Sequence, residues 1–91
     1  MRIYWDPDKN RKLLQERGIG FETVADIILN EDYLEILPHP KKKDQWLFVV
    51  ILEGYVHAVP FVTDENDGIC LKTVFPSRKL HRKYGRQENE K

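Results

Sequence analysis

Trp46-Leu47-Phe48-Val49-Val50-Ile51-Leu52-Glu53-Gly54-Tyr55-Val56-His57-Ala58-Val59-Pro60-Phe61-Val62 decides the fold. The run Trp46–Leu52 is almost continuously apolar, the pattern of a strand covered on both faces. Glu53-Gly54 makes a tight turn into a second strand, Tyr55–Val62. Pro60 has no amide hydrogen to give a ladder, so it predicts a bulge or an edge in that strand.

Downstream, Asp64-Glu65-Asn66-Asp67-Gly68 is a further turn, and Ile69–Phe75 is the last strand. Pro76-Ser77 leads into a C-terminal helix, with Ser77 as its cap. Upstream, Tyr33–Leu37 reads as a strand closed by Pro38-His39-Pro40, and Lys41-Lys42-Lys43-Asp44 as a solvated loop. Phe21, Val24, Ala25 and Ile28 recur at helical spacing after a Gly20 cap, with Asn30 as the end. An earlier, mostly polar surface helix starts at Asp6-Pro7-Asp8 and stops at Gly18. Arg2–Trp5 supplies a short first strand.

The predicted order is β-α-α-β-β-β-β-α: an α+β fold with an antiparallel meander sheet, two N-terminal helices and a basic C-terminal helix. With 91 residues, the chain is expected to form one domain over 1–86, followed by a frayed tail, 87–91. No apolar run approaches a membrane span, and the start lacks a signal peptide's apolar segment. A single cysteine, Cys70, cannot staple a small fold or build a thiolate metal site, and it suits a reducing cytoplasm.

Fifteen basic and fifteen acidic residues cancel, but their distribution is uneven. Gly20–Leu37 holds five acids and no base, whereas Ile69–Arg86 holds six bases and no acid. Local fields, not the total, govern which partners such a chain attracts.

The C-terminal segment Lys72-Thr73-Val74-Phe75-Pro76-Ser77-Arg78-Lys79-Leu80-His81-Arg82-Lys83-Tyr84 carries the strongest chemical signal. Arg78 and Lys79 at a helix start oppose the dipole, at a cost of about 0.3–1 kcal/mol per charge. With Lys72 and the free first-turn amides they would converge on an anion such as a phosphate. Arg78 and Arg82, and Lys79 and Lys83, repeat at i, i+4 as a basic strip. The alternative is a solvated basic helix, or one that docks on an acidic partner.

His57, mid-strand beside Tyr55, is the candidate general base, with Tyr84 or His81 as the acid. His39, between two prolines, reads as incidental. No histidine pair or acid–histidine set has metal-ligand spacing, so neither a metal nor another cofactor is expected. Trp46, Phe48 and Phe61 read as core, leaving Tyr55 and Tyr84 as candidate platforms for stacked bases.

Ile3-Tyr4-Trp5-Asp6-Pro7-Asp8-Lys9-Asn10, followed by Arg17-Gly18-Ile19-Gly20-Phe21-Glu22, resembles the opening of BrnT-type toxins of type II toxin–antitoxin systems. Gly54-Tyr55, Val59-Pro60-Phe61-Val62, Lys72-Thr73 and Pro76-Ser77-Arg78-Lys79 extend the resemblance to about residues 2–84. It implies a RelE/ParE-like fold and a bacterial ribonuclease that cuts RNA without metal. It also implies a cognate antitoxin that binds DNA. Lys9, Arg78 and Tyr84 match family positions. Asp44-Gln45, Lys72-Thr73-Val74 and Glu16-Arg17 depart from the family pattern, so no catalytic arginine carries over there.

The resemblance therefore implies metal-independent RNA cleavage through the 2′-hydroxyl. Arg78, His57, Tyr84 and Lys72 are the expected catalytic residues, and Lys79, Arg82, Lys83 and Lys9 the phosphate contacts. The rival is a non-catalytic module on the same scaffold that docks an antitoxin or binds RNA without cutting it.

Overall fold

The computed structural model describes residues 2–85. Arg86 and the expected tail, 87–91, lie outside them. The elements are β1 (Ile3–Trp5), α1 (Pro7–Arg17), α2 (Phe21–Leu29), β2 (Glu35–Pro38), β3 (Trp46–Leu52), β4 (Tyr55–Thr63), β5 (Ile69–Leu71) and β6 (Phe75–Pro76). One α-turn, α3 (Arg78–Leu80), then runs into a π-helical turn, His81–Gly85.

Local signals set the helix ends. Asp6 accepts the Asp8 amide at 2.9 Å, Pro7 takes the first helical position, and Gly18 closes α1 with φ 71°. The Gly20 cap of α2 has no side chain to offer. Asn10, buried on α1, replaces it: Oδ1 accepts the Phe21 amide at 2.7 Å, and Nδ2 donates to Glu22 at 3.1 Å. This cross-helix cap fixes one helix against the other.

The sheet order is β1-β5-β4-β3-β2, with β6 also beside β4. β2 to β5 form the expected antiparallel meander, but β1 joins β5 in parallel, so the sheet is mixed. Short turns force their neighbours to run antiparallel. β1 is separated from β5 by two helices and three strands, so no turn constrains its direction. In the β3–β4 hairpin Glu53 and Gly54 have φ of 53° and 79°, the paired left-handed conformation that matches strand twist.

Pro60 produces a bulge. Its carbonyl accepts the Lys72 amide at 2.8 Å, but it has no hydrogen to return. The expected strand Ile69–Phe75 therefore breaks after Leu71 and resumes as β6. Between the two pairings, Val59 and Pro60 face three residues, Lys72, Thr73 and Val74. One extra residue reverses which face each later side chain takes.

Phe48, Val50 and Leu52 share the main core with Val59, Phe61 and Leu71 beneath α1 and α2. Val49 and Val56 face the other way and pack with Tyr84 from the C-terminal segment. The free edge at β2 is guarded. There the His39 amide bonds to Gln45, so alternation turns residues 36 and 38 outward. The Ile36 amide is held by its neighbour Glu35 at 3.1 Å, and Pro38 has none to offer.

Candidate functional site

Ser77 anchors the C-terminal segment as the sequence predicts. Its amide donates to the Val56 carbonyl at 3.1 Å, and its hydroxyl accepts the Leu80 amide at 3.2 Å. Beyond Leu80 the backbone departs from the expected helix. Three α-helical residues are too few peptide dipoles in line for an anion site at the helix start. The π-turn also re-spaces the i, i+4 strip. The basic residues are present, but their arrangement must come from packing.

His81 provides that packing. Its ring lies on Tyr55 with centroids 4.0 Å apart and planes at 12°. Its Nδ1 accepts the Val56 amide at 3.2 Å, standing in for a neighbouring strand at the edge of β4. Gly85 completes the contact, because a Cβ there would lie 2.8 Å from His81 Nδ1.

On the sheet face opposite α1 and α2, a groove of about 700 Å³ opens between the C-terminal segment and the β2–β3 connection. Leu37, Leu47, Ala58, Phe75 and Leu80 give it an apolar floor. Lys79, Arg82 and Lys83 line it together with Lys41, and among the described residues no carboxylate does. Among the described residues the ion pairs are Arg2–Asp64 and Arg11–Asp8, neither of which involves these cations.

Lys41 and His39 were not expected at a site. His39 Nδ1 accepts the amides of Lys41 and Lys42 at 3.0 and 3.1 Å, which curls the loop so that Lys41 joins the groove. The paired prolines around His39 are the available sequence signal for such a fixed turn.

The other predicted residues lie apart from the groove. Arg78 is exposed and does not line it. Lys9, on the first turn of α1, donates to the Lys72 carbonyl at 3.3 Å. His57 pairs with Val50 across the hairpin, which places it on the helix-side face, 7% exposed. Its Nδ1 sits 2.9 Å from the Tyr55 carbonyl. A carbonyl only accepts, so Nδ1 is the donor of this bond and Nε2 is the nitrogen left for other contacts. Tyr84 is buried against Val49 and Val56, with Lys83 Nζ 5.4 Å from its ring centroid. Both tyrosines named as base-stacking platforms are therefore already engaged, Tyr55 by His81 and Tyr84 by the core.

Among the described residues no three His, Cys, Asp or Glu side chains converge as a metal-binding group. Among the described residues no helix is long and apolar enough to cross a membrane.

No family model matches the sequence, and no curated protein matches it. The structure is similar to the 1.1 Å crystal structure of the Brucella abortus ribonuclease toxin BrnT, with a TM-score of 0.62 and 23% sequence identity. The match covers 85% of this chain and 96% of that one. The chain thus has the fold of a BrnT-type toxin.

Proposed function

We propose that this protein is the ribonuclease toxin of a bacterial toxin–antitoxin pair, of RelE/ParE-like architecture and acting in the cytoplasm. The observation that carries the reading is the fold shared with a ribonuclease toxin over 85% of the chain. The cations of the C-terminal segment, which form no ion pair among the described residues, support it.

RNA carries its own nucleophile, so the protein needs to position the phosphate, offset its charge and move two protons. His57 Nε2 takes the proton of the 2′-hydroxyl. The freed oxygen attacks the adjacent phosphorus, the bond to the 5′ oxygen breaks, and a 2′,3′-cyclic phosphate forms. His81 or Tyr84 returns a proton to the leaving 5′ oxygen. His81 shares the Tyr55 ring with His57, edge-on to it at 6.2 Å, which supports His81 in that role. Arg78 and Lys72 offset the charge on phosphorus, while Lys79, Arg82, Lys83 and Lys9 hold the flanking backbone. No metal enters this scheme.

The test is inducible expression in a bacterial host beside Arg78→Ala, following growth and total RNA, with purified protein assayed in chelator. Growth arrest and new cyclic-phosphate RNA ends, both lost in the variant, are expected. Normal growth with intact RNA would instead leave a binding module on the same scaffold.

A further inference from the structure

Tyr55 and Val56, adjacent on β4, each hold one histidine by a backbone group. The Tyr55 carbonyl lies 2.9 Å from His57 Nδ1, and the Val56 amide donates to His81 Nδ1 at 3.2 Å. The two backbone groups have opposite polarity, so they select opposite tautomers. A carbonyl requires a proton on the His57 Nδ1, whereas an amide requires a lone pair on the His81 Nδ1. When both rings are neutral, His57 carries its lone pair on Nε2 and His81 carries its proton there. Among the described residues neither Nε2 takes a hydrogen-bond partner, and no buried side-chain nitrogen is left without one. Both atoms therefore reach the surface.

The Tyr55 ring sets how the pair sits. It stacks on His81 with centroids 4.0 Å apart and planes at 12°. It stands edge-on to His57 at 6.2 Å and 89°. The backbone on the far side of His81 is equally fixed. The Val56 carbonyl accepts the Ser77 amide at 3.1 Å, and the His81 amide donates to the Ser77 carbonyl at 2.9 Å. Without the Tyr55 ring, only the single Val56 bond would hold the His81 imidazole in its tautomer.

We propose that Tyr55 is a positioning residue that makes His57 an acceptor and His81 a donor at Nε2. Its carbonyl orients the first ring, and its side chain keeps the second against the Val56 amide. His57 then meets RNA with a lone pair, as a general base must, and His81 meets it with an N–H. The tautomer pair stands on the geometry alone, whereas its use in cleavage rests on the ribonuclease reading.

The experiment uses the full chain. Long-range nitrogen–proton NMR correlations, recorded above the pH at which the histidines protonate, read each tautomer directly. His57 shows its proton on Nδ1 and His81 on Nε2. Tyr55→Leu removes the ring, and His81 becomes a mixture of both tautomers. Single-turnover cleavage of a short single-stranded RNA falls by about 10²-fold, the cost of displacing a group by about 1 Å. RNA affinity, measured by fluorescence anisotropy, stays the same. Tyr55→Phe keeps the ring and recovers both readouts. Gly85→Ala presses a Cβ on the His81 ring and repeats the tautomer shift with Tyr55 intact, should Tyr55→Leu lower the melting temperature.

The same tautomer on both rings of the unmodified chain, or the reverse pair, overturns the proposal. An unchanged His81 tautomer in folded Tyr55→Leu overturns it as well. A loss of RNA affinity with the cleavage rate kept makes Tyr55 a platform for a base and overturns the positioning role. If the unmodified chain cuts no RNA while the tautomers hold, the ribonuclease reading and the catalytic use fall, and the positioning of the two rings stands.

Discussion

Lys9 Nζ donates to the carbonyl of Lys72 at 3.3 Å, and the bond occupies a position that Pro60 leaves empty. In an antiparallel ladder the residue accepting the Lys72 amide would return its own amide to the Lys72 carbonyl. Pro60 accepts at 2.8 Å and cannot return. A lysine from α1 supplies the donor instead, tying the first helix to the bulge.

Lys9→Met should therefore lower stability by about 0.5–1 kcal/mol, the value of an exposed hydrogen bond after solvent competition. The same substitution in a Pro60→Ala background should cost less, because the new amide can serve the Lys72 carbonyl. A double-mutant cycle by urea denaturation measures the difference, and equal costs in both backgrounds would refute the substitution of one donor for the other.

Asn10→Ala should be more damaging. It orphans the Phe21 amide at a buried helix start and removes the donor to Glu22, a loss of about 1–3 kcal/mol. Hydrogen exchange should show the first turn of α2 opening before the sheet. A cost within error of zero would make the cross-helix cap incidental.

Asp64 accepts the amides of Gly68 and Asn66, the Tyr4 hydroxyl and the Arg2 guanidinium. These bonds, that of Gly68 foremost, hold its pKa down to about 2. A depressed carboxyl stabilises the fold above its ordinary pKa near 3.8 and loses that contribution as pH falls toward 2. The hydrogen bond to Asp64 raises the Tyr4 pKa above 10.0, so its contribution is present at neutral pH and lost as pH rises through the shifted value. Unfolding free energies measured against pH should show both limbs. Asp64→Asn should flatten the acid one and Tyr4→Phe the alkaline one.

His57→Gln should lower RNA cleavage by about 10²–10⁴-fold, the usual worth of a general base. Arg78→Ala should abolish growth inhibition with little change in melting temperature, since Arg78 is exposed and makes no side-chain hydrogen bond among the described residues. Lys79→Ala and Arg82→Ala should each reduce the salt slope of RNA binding by about 0.7, the contribution of one released counterion on a single strand. A slope unchanged in both would place the RNA elsewhere.

Elements encoded by their own residues were legible in advance. Asp6, Pro7 and Gly18 delimit α1, the Trp46–Leu52 run with Glu53-Gly54 defines the hairpin, and Pro60 announces the bulge. What depends on distant residues was not. Nothing near Ile3–Trp5 reports a parallel partner 66 positions away, as Ile3 pairs with Ile69. The π-turn results from His81 seating on Tyr55 and Val56 across the fold, and the segment's local basic pattern predicts an ordinary helix instead. The candidate site was half legible. Lys79, Arg82 and Lys83 were identified by charge. Lys41 entered through the His39 turn, and His57 left for the opposite sheet face through strand alternation that a one-dimensional reading of candidates does not track.

Strand alternation is a parity, and the bulge at Lys72, Thr73 and Val74 resets it. Counted straight from Leu71, Phe75 would point into the helix-side core. The extra residue sends it into the groove beside Ala58 and turns Pro76 to the side of His57. Removing one residue from this stretch would leave every groove side chain in the sequence while moving its one aromatic floor residue to the wrong face. Among descendants of this chain, length between Leu71 and Phe75 should therefore be guarded more strictly than identity, because an insertion or deletion there turns Phe75 away from the groove, whereas a substitution leaves the parity intact.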